Sequence, residues 1–269
     1  MGTFYFPPDF RFSFGSPRDK FDDNLQAIQI VKQLESEGRL PTVDEQNVLA
    51  HYVGFGDSQV MKCGEYTLSE QVEESELKSL KASTLNAHYT DLDITRAIWE
   101  GLLHLGLGGM NEIHVLDPSA GIGHFISCMP EQLRESARVV EVELDQITGK
   151  ILQYLYPDAA EKSKVYVMGF EKAPIADQWF DLAISNVPFG DYAVVDRSVK
   201  ETALRAAVHD YFFARALKAV KPGGIIAFIT SRYTLDKKNS KVREDVARRA
   251  ELLTAIRLPR GTFVYRCIR

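Results

Sequence analysis

The sequence has little cysteine and no long apolar run, and each of these features excludes a class of protein. The three cysteines of this 269-residue chain are scattered, odd in number and never in Cys-x-x-Cys spacing, which favours reduced thiols in a cytoplasm over a disulfide framework. No apolar stretch approaches membrane-spanning length, and the amino terminus lacks the basic-then-apolar layout of a signal peptide. The six histidines form no pair at ligand spacing, so we predict no metal. What remains, 45% hydrophobic and 26% charged residues, predicts an ordinary cytoplasmic globular protein.

The net charge of −5 is unevenly distributed along the chain. Residues 221–269 carry 12 basic and 4 acidic side chains, a net charge of +8, so the rest of the chain carries −13. A basic carboxyl-terminal segment on an acidic body suits a polyanionic partner that approaches one side. A solvated helix face explains such a charge run about as well.

The apolar pattern changes at about residue 82, and we expect a helical extension over residues 1–82. Three helices are predicted in it. The first contains Leu25 to Leu34 and ends at Gly38, the second runs from a capping box at Thr42 to Gly54, and the third runs from a second capping box at Thr67 to about Leu80.

From Ile94 onward, predicted strands and helices alternate. The strands are Ile113 to Leu116, Arg138 to Leu144, Lys164 to Met168, Phe180 to Ser185, Ile225 to Thr230 and Leu252 to Leu258; the helices are Ile94 to Leu105, a short one after Gly123, Gln146 to Tyr156, Ala206 to Val220 and Ser240 to Arg249. This alternation predicts an α/β domain over residues 83–269, with a doubly wound, mostly parallel sheet covered on both faces.

A glycine-rich turn follows the first predicted strand and reads Asp117-Pro-Ser-Ala-Gly-Ile-Gly123. Gly121 and Gly123 permit dihedrals closed to other residues and let the backbone approach a ligand closely. A dinucleotide fingerprint requires a further glycine where Ile126 stands, which argues against NAD. The acidic Asp117 suits a ligand with a cationic end, and a glycine turn without a ligand is the alternative.

A second turn, Asn186-Val-Pro-Phe189, follows the strand Phe180 to Ser185 and stops at Gly190. It places an amide, a carbonyl and an aromatic ring at the carboxyl end of a strand, the edge at which open α/β sheets bind ligands. Taken alone, a plain loop explains this turn equally well, but the ordered pair of turns is more specific.

Acidic residues at the ends of the next two strands are candidates for nucleoside binding. Glu143 is placed to accept ribose hydroxyls, and Glu141 is its rival on the same face because strand side chains alternate. Glu171 is a candidate for an adenine amino group, with a plain surface glutamate as the alternative.

Together these motifs resemble the gamma-type adenine-N6 DNA methyltransferases that use S-adenosylmethionine (SAM) and have a Rossmann-like fold. Asp117 to Gly123 resembles motif I, Val142 to Asp145 motif II and Asn186 to Phe189 motif IV, while Asn86 to Thr90 resembles motif X, which lies over the cofactor in that family. Other stretches resemble phage- and plasmid-borne methylase–helicase fusions: Asp23 to Gly56, Gly190 to Tyr192, His209 to Phe212 and Thr230 to Asp236.

The resemblance implies SAM as the cofactor, DNA as the partner and a role in restriction-modification. It implies that the cofactor contacts Tyr89, Thr90, Asp117, Ser119, Gly121, Gly123, Phe125, Glu143 and Glu171. It assigns catalysis to Asn186, Val187, Pro188 and Phe189, and substrate contacts to Phe189, Tyr192 and Arg232. The Asn186 side-chain oxygen and the Val187 carbonyl would accept both N–H protons of a flipped base, which stacks on Phe189.

Two features depart from the family pattern. Its second motif IV position is usually proline, and Val187 keeps the carbonyl but loses the rigidity of the ring. After Leu258, only Phe263 to Ile268 can form the family's reversed last strand, so we expect a fragment that lacks a target-recognition or helicase region. A protein glutamine-N5 methyltransferase and a non-catalytic SAM-binding remnant are the alternative functions.

Overall fold

A five-stranded parallel sheet forms the centre of this computed structural model, which describes residues 2–12, 16–83, 90–157, 162–190, 192–196 and 207–259. The strand order is β3-β2-β1-β4-β5, so the chain moves outward from β1 and then returns to its other side. The strands are β1 (Ile113–Asp117), β2 (Ala137–Glu143), β3 (Ser163–Val167), β4 (Phe180–Asn186) and β5 (Val220–Ile229). The predicted doubly wound parallel sheet is confirmed.

The helices fall into an amino-terminal block and a set that connects the strands. The block contains α1 (Pro17–Glu37), α2 (Val43–Leu49), α3 (Ser58–Lys62), α4 (Glu65–Gln71) and α5 (Glu74–Ser83). The second set contains α6 (Leu92–His104), α7 (His124–Ser127), α8 (Glu131–Arg134), α9 (Gln146–Leu155), α10 (Val208–Ala219), α11 (Tyr233–Asp236) and α12 (Lys241–Ala247). None of these described helices is long and apolar enough to cross a membrane.

Each face of the sheet has its own apolar core, because successive strand side chains point to opposite sides. Val115 and Leu182 belong to a core shared with the amino-terminal helices, whereas Leu116 and Ala183 belong to the core under α10. Strand β4 is buried from Phe180 to Ser185, as expected for the centre of a parallel sheet. Its first half-buried residue is Asn186, at the carboxyl end.

The structure corrects two predicted helices of the amino-terminal block. The helix from Thr42 ends at Leu49 rather than Gly54, because the N–H groups of Val53 and Gly54 donate to the Asn24 side chain. The capping box at Thr67 does not begin a helix, since Thr67 lies inside α4. The chain becomes extended at Val72, and the Glu76 carboxylate accepts the Glu73 N–H at 3.0 Å, which starts α5 separately.

Two predictions near the carboxyl end also need correction. Strand β5 begins at Val220 instead of Ile225, and its register against β4 shifts around Pro222-Gly-Gly224, which an edge strand tolerates. The predicted strand Leu252 to Leu258 is absent, since this segment pairs with no described strand and Leu252, Leu253 and Ile256 are exposed. A run of apolar residues forms a strand only where a partner supplies its hydrogen bonds. The other candidate strand, Phe263 to Ile268, lies outside the described residues.

Candidate functional site

The two motif turns meet because β1 and β4 are neighbouring parallel strands that end at the same edge. The Ser185 hydroxyl donates to Asp117 Oδ1 at 2.7 Å, and the Ser119 N–H donates to the same oxygen at 3.2 Å. Ser185 immediately precedes Asn186, so hydrogen bonds join the glycine turn to the base of the Asn186 turn. This is the point at which the sheet's strand order reverses, where ligands bind in open α/β sheets.

The glycine turn needs both of its predicted glycines. Gly121 and Gly123 have φ angles of 58° and 83°, in the left-handed region that favours glycine. A Cβ atom on Gly123 would collide with the Tyr156 ring and would lie 2.9 Å from Glu141 Oε1. The Tyr156 hydroxyl donates to the Gly123 carbonyl at 3.0 Å, which holds the turn down on α9.

The Glu143 carboxylate lies at the end of β2 and is held by two backbone N–H groups. Gly121 N–H donates to Oε2 and Asp145 N–H donates to Oε1, each at 2.8 Å. Each carboxylate oxygen can accept about two hydrogen bonds, so one acceptor position per oxygen remains beside these N–H donors. The arrangement fits the two adjacent hydroxyls of a ribose.

Two buried carboxyl groups, Asp117 and Glu141, and the half-buried Glu143 surround the glycine turn, and desolvation raises the pKa of each. Desolvation raises the pKa of Asp117 to about 7, against the opposing hydrogen bonds from Ser185 and Ser119. It raises the pKa of Glu143 to about 7 and that of Glu141 well above its usual value. Among the described residues, Asp117 Oδ2 and both Glu141 oxygens have no hydrogen-bond partner. Such a set of acceptors favours a ligand with a cationic end.

A cavity of about 600 Å³ lies beside this cluster, on the β2–β3 side of the sheet edge. Its lining includes Leu144, Glu171, Tyr192 and Val194. The cavity is open to solvent, and the Asp196 carboxylate at its edge accepts the Tyr211 hydroxyl at 2.7 Å. The volume and mixed lining suit a planar nucleobase.

In the Asn186 turn, the structure explains why valine stands at position 187. The Val187 N–H donates to the Ile229 carbonyl at 3.1 Å, and proline has no N–H for this bond. The Val187 side chain is 1% exposed and belongs to the core under α10, with Val208 and Tyr211. The hydrogen bond to β5 and the burial of the Val187 side chain therefore hold the turn, the role that a proline ring would otherwise have.

The remaining predicted residues are placed less uniformly. Thr90 is buried, and its carbonyl contacts His124 Nδ1 at 2.9 Å. Phe125 is 3% exposed and belongs to the core shared with the amino-terminal helices, and its carbonyl accepts the Trp99 indole N–H at 2.7 Å. Arg232 is exposed, with its guanidinium 5.0 Å from the centre of the Tyr233 ring. Tyr89 lies outside the described residues.

Four residues to which the sequence analysis assigned no role of their own take part in the site. Ser185 and Tyr156 bond to the glycine turn, and Asp145 and Ser79 form the support of Glu143. Asp145 carries a local signal, because an aspartate before a helix is a typical N-cap. Ser79 carries none, since its partner is 66 residues away. No group of three or more histidine, cysteine or acidic residues in the described ranges could hold a metal ion.

No family model matches the chain. Over 243 residues, or 89% of its length, it is 28% identical to the defense against restriction protein B of Escherichia phage P1, and the matched region spans 9% of that protein. Among solved structures, the chain is similar to the methyltransferase subunit of a type I restriction-modification system from Streptococcus thermophilus, with a TM-score of 0.52 and 14% identity. The match covers 86% of this chain and 55% of that subunit. The chain shares this fold. The predicted methyltransferase-type fold is therefore confirmed.

Proposed function

We propose that this chain binds SAM at the carboxyl ends of β1 and β2 and directs its methyl group to the N6 amine of adenine in DNA. The observation that carries the proposal is the hydrogen bond between Ser185 and Asp117. It places the turn that would hold the acceptor amine next to the turn that would hold the methyl donor. Positioning two reactants in this way supplies much of the rate enhancement of a transfer reaction.

The residues present fit SAM, which when bound supplies a methyl group on a cationic sulfonium. The Glu143 carboxylate has acceptor positions for the ribose hydroxyls beside its bonds to Gly121 and Asp145. The cavity along Leu144, Glu171 and Tyr192 has room for the adenine ring. The buried carboxyl of Asp117, with one oxygen unbonded among the described residues, favours the cationic part of the cofactor.

On the acceptor side, the chain supplies hydrogen-bond acceptors and an aromatic face. An exocyclic amine is a poor nucleophile because its lone pair is delocalised into the base. The Asn186 side-chain oxygen and the Val187 carbonyl would accept its two N–H protons and draw the nitrogen toward a tetrahedral geometry. Phe189 offers a face for the base, which must leave the duplex to reach this edge. After transfer, the surplus proton leaves the nitrogen for solvent.

Exposed basic residues follow β5 beside the acceptor turn, which supports DNA as the substrate. Asn186 pairs with Ile229 at the end of β5, and Arg232 follows three residues later. Arg232, Lys238 and Lys241 are all exposed, so they are available to phosphate groups of a bound strand. The phage protein's name refers to restriction and the solved neighbour is a restriction-modification methyltransferase subunit, which supports the same context.

The test is to incubate the purified chain with methyl-labelled SAM and unmethylated DNA and to measure N6-methyladenine by mass spectrometry of the digested nucleosides. The comparison is between Asn186→Ala and Asn47→Ala, the latter on the exposed surface of α2. We expect label in DNA from the wild type and Asn47→Ala, and none from Asn186→Ala. Labelling of glutamine in a protein partner but not of DNA would contradict the DNA assignment. SAM binding without transfer to any acceptor would contradict the catalytic one.

A further inference from the structure

A chain of hydrogen bonds connects the amino-terminal helices to the glycine turn. The Ser79 hydroxyl of α5 donates to Asp145 Oδ2 at 2.6 Å. The Asp145 N–H donates to Glu143 Oε1 at 2.8 Å, and Glu143 Oε2 accepts the Gly121 N–H at 2.8 Å. Each link is within hydrogen-bond distance, so a residue of the helical block is coupled through three bonds to the proposed cofactor site.

Asp145 is the central residue of this series of hydrogen bonds, and both of its carboxylate oxygens accept hydrogen bonds. Its other carboxylate oxygen accepts both the N–H and the hydroxyl of Thr148, each at 2.8 Å, as the N-cap of α9. The side chain is 6% exposed, so water cannot readily replace a lost donor. Among the described residues, the Ser79 hydroxyl is the donor to the Asp145 carboxylate that comes from outside α9, and it binds the oxygen that Thr148 leaves open.

Ser79 lies beside Asp145 because packing and ion pairs hold α5 against α9. On the same face of α5, Leu80 is fully buried and Glu76 is 8% exposed. The Glu76 carboxylate binds Lys32 of α1 at 2.5 Å and Lys150 of α9 at 3.3 Å. Lys150 also binds Glu35 of α1 at 2.8 Å. Alternating charges on three helices therefore set the height of α5 along α9, and with it the position of Ser79.

We propose that Ser79 is a positioning residue for the cofactor: through Asp145 it fixes the carboxylate of Glu143, which would accept the ribose hydroxyls. The inference rests on the proposed function, because the ribose belongs to SAM. It gives the helical block a role in cofactor affinity in addition to its role in the apolar core. A serine hydroxyl at this place acts on the ribose and not on the acceptor base, so its removal should weaken SAM binding and leave kcat at saturating SAM unchanged.

The experiment compares SAM binding by calorimetry in the wild type, Ser79→Ala, Ser79→Thr and Ser69→Ala. Ser69→Ala is the matched control, because Ser69 is exposed and, within the described part of the chain, its hydroxyl bonds only the Tyr66 carbonyl of its own helix. Removing one hydrogen bond that acts indirectly predicts roughly three- to tenfold weaker binding for Ser79→Ala. Ser79→Thr keeps the hydroxyl and should restore the affinity, and Ser69→Ala should leave it unchanged.

A second ligand separates positioning from a general loss of structure. With S-adenosylhomocysteine and its 2′-deoxy analogue, Ser79→Ala should weaken the first more than the second, because the analogue has already lost one partner of Glu143. In a double-mutant cycle, the effect of Ser79→Ala should disappear in a Glu143→Ala background. Equal losses for the two ligands, or unchanged affinity in Ser79→Ala, would overturn the inference while leaving the proposed function intact. A folded wild type that binds no SAM would overturn both.

Discussion

Tyr156 closes the glycine turn by bonding the Gly123 carbonyl at 3.0 Å while its ring occupies the space of a Gly123 side chain. A methyl group at position 123 would therefore have to displace a buried aromatic ring. The substituted residue would also have to adopt a φ of 83°. Glycine is therefore required at position 123 for two reasons: the left-handed backbone conformation and the lack of space for a side chain.

Replacing Gly123 with alanine should cost more than the backbone strain alone. Overpacking a dense core costs about 1–3 kcal/mol, and a left-handed conformation of a residue with a Cβ costs about 1–2 kcal/mol more. Gly106→Ala is the matched control, since Gly106 has a φ of 96° with no atom within 4 Å of an added Cβ. Urea unfolding should show a loss of about 1–2 kcal/mol for Gly106→Ala and a clearly larger one for Gly123→Ala. Equal losses would contradict the clash with Tyr156.

The stability of the fold should decrease as the pH rises through neutrality. Burial raises the pKa of Asp117 from 3.8 to about 7. A carboxyl whose pKa is higher in the folded state contributes stability that is fully present below its unfolded pKa and is lost as the pH rises through its folded pKa. Urea unfolding between pH 5 and pH 8 should show this decrease in the wild type and a smaller one in Asp117→Asn. Parallel pH profiles for the two proteins would contradict it.

Cofactor binding should have the opposite pH dependence. Burial raises the pKa of Glu143 to about 7, and only the ionised carboxylate offers all its oxygen lone pairs to the ribose hydroxyls. SAM affinity should therefore rise between pH 6 and pH 8, with release of protons on binding. Calorimetry in buffers of different ionisation enthalpy measures that release directly. Glu143→Gln should bind more weakly and flatten the profile, and a wild-type affinity independent of pH would exclude Glu143 as the titrating group.

Replacing Val187 with proline should destabilise this chain, although the resembled family usually has proline there. The variant loses the N–H that bonds the Ile229 carbonyl at 3.1 Å. Leaving a buried carbonyl without its donor costs about 1–3 kcal/mol. Urea unfolding should show that loss, and methylation should fall with it because the acceptor turn is no longer tied to β5. A proline variant as stable as the wild type would show that the ring replaces the bond.

Local patterns predicted the parts of this site whose partners lie close in the sequence. The glycine turn and the Asn186 turn each follow an apolar strand, and parallel strands bring such turns to one edge. Patterns failed where a distant partner decided the outcome. The helix from Thr42 ends at Leu49 instead of Gly54, because the Asn24 side chain accepts the N–H groups of Val53 and Gly54, which lie 29 and 30 residues away. Leu252 to Leu258 has a strand composition but no strand partner among the described residues. The contact between Ser79 and Asp145 joins residues 66 positions apart and leaves no trace in either neighbourhood.

The basic residues after β5 should contribute to DNA binding through phosphate contacts. Each phosphate contact releases about one counterion, so the slope of log K against log salt concentration falls by about 0.9 when one contact is removed. Arg232→Ala should therefore weaken binding to duplexes of any sequence and reduce this slope by about one unit in fluorescence anisotropy titrations.

Arg18→Ala provides the control, because Arg18 is also an exposed arginine and pairs with Asp22 on α1 of the amino-terminal block. Its removal changes the net charge by the same amount at a place away from the edge formed by Asn186 and Ile229. If the basic segment binds DNA, the salt slope changes for Arg232→Ala and stays at the wild-type value for Arg18→Ala. If net charge alone governs the interaction, both variants change it equally, and the basic segment is then a solvated surface.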